Sequence, residues 1–360
     1  MTDPAAVYAN VDHTSSITRS GQASSLPPPV ILYLPPGPLL SYPRPFPVAS
    51  ILAANVASTV VQIDYRLGLG HKYPAPVHDV LFGYDWVLRN LVGTHPLHGS
   101  ARIGVFGELV GGGLATMLAL TECHSRGHRI AAAAANDPIL DWIFPEAVAN
   151  EISQIPSSSS RAKKNDKSAF WLEMQRDPAL MEMIKARPSL FRKPADWFDP
   201  FASPTLFFRS AGISVPTDHA IDEFDEISRL NQQDFLREQR QLSAITLADS
   251  SNTTDDEEAQ KKPRKASTRF PNVGSGLTLP SLQLMTADHG MFHEQAAEMI
   301  HLTHRSMVRT DELRHADPDI AVMHAQERAT HVIREPDSKY WHEGWDRGIA
   351  DVAQWFREVL

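Results

Sequence analysis

The feature that most constrains the fold is a glycine-rich turn between an apolar segment and a helix-forming segment, over residues 103–115. Residues 103–106 are mostly apolar and predict the end of a buried strand. The glycines within residues 107–113 then allow a sharp turn with close backbone approach. Residues 114–120 contain strong helix formers and no helix breaker. This spacing predicts a nucleophile elbow, the G-x-S-x-G turn between a strand and a helix.

A leucine occupies the position where this motif requires its nucleophile. The pattern reads Gly107-Glu108-Leu109-Val110-Gly111, and none of the three central side chains carries a hydroxyl. The sequence therefore predicts the scaffold of a nucleophile elbow without the chemistry of the serine.

Strand-like and helix-like segments alternate around this turn. We expect a doubly wound, mostly parallel α/β sheet with right-handed crossover connections, because that architecture follows from such alternation. The predicted strands are 30–34, 59–64, 103–106, 130–135, 205–208 and a last strand at 277–285, and the predicted helices are 46–55, 79–91, 114–120 and 337–360.

Two stretches interrupt this alternation, and a third precedes it. Residues 1–29 are polar and predict a loosely ordered arm in front of one domain over 30–360. Residues 141–203 show helical rather than strand patterns and predict a cap over the sheet. Residues 217–270 contain a block of acids followed by a block of bases, which predicts a partly disordered surface insertion.

Composition excludes several classes of function. The formal net charge of −9 argues against a nucleic-acid-binding surface. Cys123 is the only cysteine, so no intramolecular disulfide forms, and a reducing compartment is expected. We find no secretory signal and no apolar run long enough to span a membrane, and we predict a cytoplasmic location.

The histidines and glycines match no cofactor motif. His124-x-x-x-His128 and His289-x-x-x-His293 lack the H-E-x-x-H pattern of a zinc site. Residues 107–113 match neither the dinucleotide-binding fingerprint nor the P-loop. We therefore predict neither a metal nor another cofactor.

The order of these segments resembles the α/β-hydrolase fold, and specifically the hormone-sensitive-lipase-like esterase family. Residues 64–67 read Asp-Tyr-Arg-Leu, as in that family, and residues 107–115 resemble its G-D-S-A-G-G-N-L-A motif. His289-Gly-Met-Phe292 is similar to the H-G-F that carries the catalytic histidine. The resemblance implies structural roles, such as bracing of the loop before the elbow helix, for six residues: Asp64, Tyr65, Arg66, Asp79, Gly107 and Gly111.

Of the four catalytic features that the resemblance implies, one is present. Leu109 replaces the serine. The oxyanion loop reads Pro35-Pro36-Gly37-Pro38, and proline has no backbone N–H to donate. The nearest acid after the strand predicted to end at Phe208 is Asp218, in a shifted register, and only His289 matches. We therefore interpret the chain as a catalytically degenerate member of the family.

Two hypotheses of different classes follow. The first is a pseudoenzyme that binds a small apolar or ester-like ligand in a pocket formed by Leu109, Glu108, Val110 and the 35–38 turn, or that acts as an interaction scaffold for a second copy or another protein. The second is a carboxylic-ester hydrolase in which His289 acts as a base on water, together with Asp218 or Glu108. The second hypothesis requires His289 to lie within hydrogen-bond reach of an acid, whereas the first does not.

Overall fold

The computed structural model of this protein describes residues 28–39, 48–68, 70–92, 102–125, 129–143, 178–210, 270–272, 275–312, 318–334 and 345–360. The predicted arm before residue 28 lies outside these residues. So do residues 144–177 of the predicted cap and nearly all of the predicted insertion at 217–270.

A six-stranded sheet forms the centre of the fold. The strands are β1 (Val30–Leu34), β2 (Thr59–Gln62), β3 (Ile103–Glu108), β4 (Ile130–Asn136), β5 (Ser281–Thr286) and β6 (Ala329–Ile333). Their order is β2-β1-β3-β4-β5-β6, and every neighbouring pair is parallel. The predicted doubly wound α/β sheet is therefore confirmed.

Seven helices are described. They are α1 (Val48–Val56), α2 (Ala75–Asn90), α3 (Val110–Thr121), α4 (Pro178–Leu190), α5 (Met291–Glu312), α6 (Pro318–Arg328) and α7 (Trp345–Val359). Among these residues no helix is long and apolar enough to cross a membrane.

The helices cover both faces of the sheet, as the apolar character of the strands requires. Alternate side chains of β1, β3 and β4 belong to two separate cores. The larger core includes side chains of α2, α3, α5 and α6, and the smaller core includes side chains of α1 and α7. Leu109 belongs to the larger core, on the side of α3.

One strand prediction is wrong, and another is wrong only in its start and its place in the order. The apolar run at 205–208 lies in a 3-10 turn over Pro204–Phe207 and in none of the six strands. The strand predicted as the last, at 277–285, begins at Ser281 as β5 and is followed by β6. A short apolar run does not distinguish a strand from a turn packed against the core, which explains the first error.

The helical predictions differ in their boundaries. The last helix is described from Trp345 onward, because residues 337–344 of the predicted helix lie outside the described residues, and helices α5 and α6 were not predicted. The helical period of α6 is weak in the sequence, whereas α5 has apolar residues at helical spacing, such as Phe292, Ala296 and Met299, which the sequence prediction missed.

Candidate active site at a nucleophile elbow

Leu109 forms the turn between β3 and α3 in a left-handed backbone conformation. Its φ is 48° and its ψ is −114°, and its side chain is fully buried. Its N–H donates to the carbonyl of Asn136 at 3.1 Å, and its carbonyl accepts from the N–H of Ile139 at the same distance. A branched side chain is uncommon at positive φ, so the backbone keeps the strained geometry of a nucleophile elbow although the nucleophile is absent.

Two glycines make this turn sterically feasible. A Cβ atom on Gly111 would lie 2.3 Å from the carbonyl oxygens of both Leu34 and Pro35. A Cβ atom on Gly107 would lie 2.1 Å from the carbonyl oxygen of Gly111. No side chain fits at either position, and the first turn of α3 therefore packs directly on the end of β1.

The loop after β1 occupies the place of an oxyanion loop but offers few backbone N–H donors. Pro35 and Pro36 have no N–H, and a 3-10 turn begins at Gly37 with a φ of 74°. The carbonyl of Pro35 accepts a 2.5 Å hydrogen bond from the hydroxyl of Tyr65. Burial, followed by the charges of Tyr73 and Glu108, raises the pKa of Tyr65, so this hydroxyl stays protonated as a donor.

Glu108 is buried on the other side of the sheet from Leu109. Its Oε2 accepts a 2.7 Å hydrogen bond from the hydroxyl of Tyr33 on β1, and the residue has no exposed surface. Tyr33 belongs to the smaller core, beside α1 and α7. The carboxylate beside the elbow therefore lies away from the side of the sheet that Leu109 faces.

Arg66 and Asp79 form a bidentate pair beside the elbow. Nε and Nη2 of Arg66 donate to the two carboxylate oxygens of Asp79 at 2.9 and 2.7 Å, and the Arg66 backbone N–H donates at 2.8 Å. Burial raises the pKa of Asp79, but these hydrogen bonds outweigh it and the net pKa is lowered. The pair ties the loop after β2 to the first turns of α2.

His289 lies in the turn between β5 and α5. Its side chain is 73% exposed, and its Nδ1 contacts Oδ1 of Asp288. Of the two acids proposed from the sequence, Asp218 lies outside the described residues and Glu108 is fully buried. The acid beside His289 is thus its own neighbour, Asp288.

The position of His289 in the fold differs from the sequence prediction. In α/β hydrolases the acid precedes the histidine along the chain, each at the end of a strand. His289 was expected after the last strand, but β6 follows it. In this order the acid follows the strand before the last one. Among the described strands that strand is β5, and Asp288 lies directly after it. The prediction of Asp218 loses its basis, because residues 205–208 form no strand.

Sequence reasoning missed Asp288, and two signals could have identified it. The first signal is a further strand-like run after β5, at Ala329–Ile333. Because the acid precedes the histidine along the chain, this additional strand would have placed the acid after β5. After β6 the sequence contains His342, which lies outside the described residues.

A metal-binding cluster and a reactive cysteine are two further kinds of site that the described residues could form. No group of three or more His, Cys, Asp or Glu side chains is arranged to hold a metal ion there. Cys123 is buried after the end of α3, and burial raises the pKa of its thiol to about 11. A thiol with such a pKa is a poor nucleophile.

The parallel sheet, the flanking helices and the strained turn between β3 and α3 define the α/β-hydrolase fold. A family model described as alpha/beta hydrolase fold matches residues 41–216, the part of the chain that contains the elbow. The chain thus has the α/β-hydrolase fold, and the resemblance to that fold predicted from the sequence is confirmed. A comparison with curated proteins finds no match.

Several solved esterases are similar in structure. Carboxyl esterase 2 of the mycorrhizal fungus Tuber melanosporum is 14% identical with a TM-score of 0.47, over 94% of this chain and 78% of that chain. An esterase of Pyrobaculum calidifontis is 18% identical with a TM-score of 0.46, over 94% and 79%. EstE1, a carboxylesterase cloned from a metagenomic library, is 15% identical with a TM-score of 0.48, over 94% and 82%. These values are too low to carry residue roles to this chain.

Proposed function

We propose that this chain is a non-catalytic α/β-hydrolase-fold protein that binds a small apolar or ester-like ligand or serves as an interaction scaffold. The observation that carries the proposal is the fully buried Leu109 at the nucleophile position, in the left-handed conformation of the elbow. An alkyl side chain cannot attack a carbonyl, so the covalent route through a serine is closed.

The surroundings of Leu109 support the same proposal. The prolines of the 35–38 turn remove backbone donors, and the loss of a single oxyanion donor costs about 3 kcal/mol of transition-state stabilisation. The carbonyl oxygen of Pro35 accepts a hydrogen bond from the hydroxyl of Tyr65 and packs against Gly111. The contacts of this loop therefore stabilise the fold.

A second candidate function is ester hydrolysis by direct attack of water. The contact between His289 and Asp288 favours it, because a carboxylate orients an imidazole and stabilises its protonated form. The family match also favours this candidate over a pseudoenzyme in general terms, since the matched fold is that of hydrolases. The match concerns the fold and not Leu109, so the first proposal takes precedence.

Hydrolysis of p-nitrophenyl acetate and butyrate distinguishes the two candidates. Exposed histidines catalyse the cleavage of activated esters to some extent, so the assay needs a matched background. His124 provides it: its side chain is 52% exposed and lies 3.9 Å from the carboxylate of Glu122. The variants are His289→Gln, Asp288→Asn and His124→Gln.

If the protein is non-catalytic, the wild-type protein and the three variants all hydrolyse the ester at the same small rate, and the rate does not saturate with substrate. A saturable rate that falls at least tenfold in His289→Gln and Asp288→Asn, but not in His124→Gln, overturns the first proposal and establishes the second. The cytoplasmic location and a homodimeric or protein partner remain predictions from the sequence.

A further inference from the structure

A second polar site lies at the carboxyl end of β4, on the side of the sheet covered by α7. Asn136, the last residue of β4, has no exposed surface, and neither its Nδ2 nor its Oδ1 has a hydrogen-bond partner among the described residues. An amide buried in this way costs free energy unless something polar meets it.

Arg334 contributes a cation to the same place. Arg334 directly follows β6, which lies two strands from β4, at a distance of roughly 10 Å. Its Nη2 nevertheless contacts Oδ2 of Asp137, the residue after β4. Its side chain crosses the end of β5, is 9% exposed, and holds Nε and Nη1 buried without partners among the described residues. Asp137 thus fixes the guanidinium through one nitrogen and leaves the other two available.

The beginning of α7 packs on this arginine. A Cβ atom on Gly348, in the first turns of α7, would lie 3.6 Å from Cδ of Arg334 and 3.3 Å from Cε of Met285. A helix N-terminus carries about half a positive charge and backbone N–H groups without intrahelical partners. The positive end of α7 and the guanidinium are therefore close together.

The chemistry of the ligand follows from these groups. The unpartnered atoms are three donor nitrogens, from Asn136 and Arg334, and one acceptor oxygen, from Asn136. Donors therefore outnumber acceptors in these two side chains, and the nearby helix end adds positive potential, which the buried carboxylates of Asp137 and Glu108 on the neighbouring strand ends offset in part. A small oxyanion complements such a site, because its oxygens accept several charge-assisted hydrogen bonds.

We propose that Arg334, Asn136 and the N-terminal end of α7 form a binding site for a small oxyanion, either a carboxylate or an inorganic oxyanion. The site lies beside the elbow, since the backbone carbonyl of Asn136 accepts from the N–H of Leu109. It is independent of whether the elbow catalyses any reaction. Ligand entry requires a local opening, because the donor atoms are buried.

Thermal unfolding of the full-length protein tests the site. Sodium acetate and sodium phosphate are titrated separately against sodium chloride at equal ionic strength. We expect one of them to raise the unfolding midpoint saturably, by about 2 °C at ten times its dissociation constant. Acetate as the stabiliser indicates a carboxylate ligand, and phosphate indicates an inorganic oxyanion or a phosphate group. Equal midpoints in all three salts overturn the proposal.

Two variants locate the effect. Asn136→Leu keeps the volume but removes the amide, and we expect it to abolish the shift. Gln283→Leu is the matched control, because Gln283 lies on the same face of neighbouring β5 and also holds a buried oxygen without a partner among the described residues. The control retains the shift, whereas a shift that persists in Asn136→Leu contradicts the assignment.

A crystal of the wild-type protein soaked in selenate tests the same claim without any substitution, should Asn136→Leu fail to fold. An anomalous selenium peak about 4 Å from Nε or Nη1 of Arg334 is expected, which places a selenate oxygen within hydrogen-bond distance of that nitrogen. Peaks confined to other places on the protein overturn the proposal.

Discussion

The hydroxyl of Tyr33 donates a 2.7 Å hydrogen bond to Oε2 of Glu108, and both side chains are buried. The two residues lie 75 positions apart in the sequence, at the ends of neighbouring strands β1 and β3. Glu108 directly precedes Leu109, so this hydrogen bond anchors the last residue of the strand from which the elbow turns.

Removing this hydroxyl destabilises the protein. Tyr33→Phe leaves a buried carboxylate oxygen without its donor, and we expect the free energy of unfolding to fall by about 1–3 kcal/mol in urea titrations. Tyr84→Phe is the control, because the Tyr84 hydroxyl is buried without a partner among the described residues. Its loss is expected to be neutral or slightly stabilising. Equal losses in both variants would show that the hydrogen bond contributes nothing specific.

The left-handed backbone of Leu109 makes its replacement by glycine less costly than elsewhere. Leu109→Gly loses a buried side chain, about 3–5 kcal/mol, but relieves about 1–2 kcal/mol of backbone strain. Leu118→Gly, at an equally buried position within α3, loses the side chain and about 1 kcal/mol of helix propensity as well. Denaturant titrations should therefore find Leu118→Gly the less stable variant by about 2–3 kcal/mol. The reverse order would show that Leu109 carries no strain.

Gly111 tolerates no side chain. Gly111→Ala places a methyl group 2.3 Å from two backbone carbonyl oxygens that cannot move independently of β1. We expect a fall of more than about 3 kcal/mol in the free energy of unfolding, or no folded protein. In Gly348→Ala the new methyl group meets only the flexible tip of Met285, at 3.3 Å, and the arginine stem. That variant should remain within about 1 kcal/mol of the wild-type protein.

Burial of His331 makes stability depend on pH. Burial, followed by the charge of His293, lowers the pKa of His331 from 6.5 to about 4, and its Nε2 lies 2.8 Å from Oγ1 of Thr286. The unfolded chain therefore binds more protons than the folded chain between these two pKa values. Stability should be complete above pH 6.5 and fall as the pH decreases toward 4.

We expect His331 to contribute about 2 kcal/mol to this fall, allowing for its partial exposure. Unfolding of His331→Gln and of the wild-type protein, each measured from pH 4 to pH 7.5, provides the comparison. His78→Gln, which alters an exposed histidine on α2, is the control and should keep the wild-type profile. An unchanged profile in His331→Gln would contradict the assignment.

Five strands, the elbow and its missing serine were predictable from the sequence, because each depends on local pattern. Continuous apolar runs become buried parallel strands wherever helices cover both faces of a sheet, and the glycines of residues 107–113 permit a tight turn with close backbone approach. The identity of Leu109 needs no structure at all: a side chain without a hydroxyl does not serve as the nucleophile.

The tertiary structure alone decided which segments complete the sheet and which side chains meet. The apolar run at 205–208 became a turn, whereas the more polar Ala329–Ile333 became β6, because pairing with β5 satisfies its backbone. His289 therefore follows β5, the strand before the last described strand, and not the last strand as predicted. The partner of Glu108 lies on β1 and the partner of Arg334 directly follows β4, 75 and 197 positions away, and only the packing of the sheet brings such residues together.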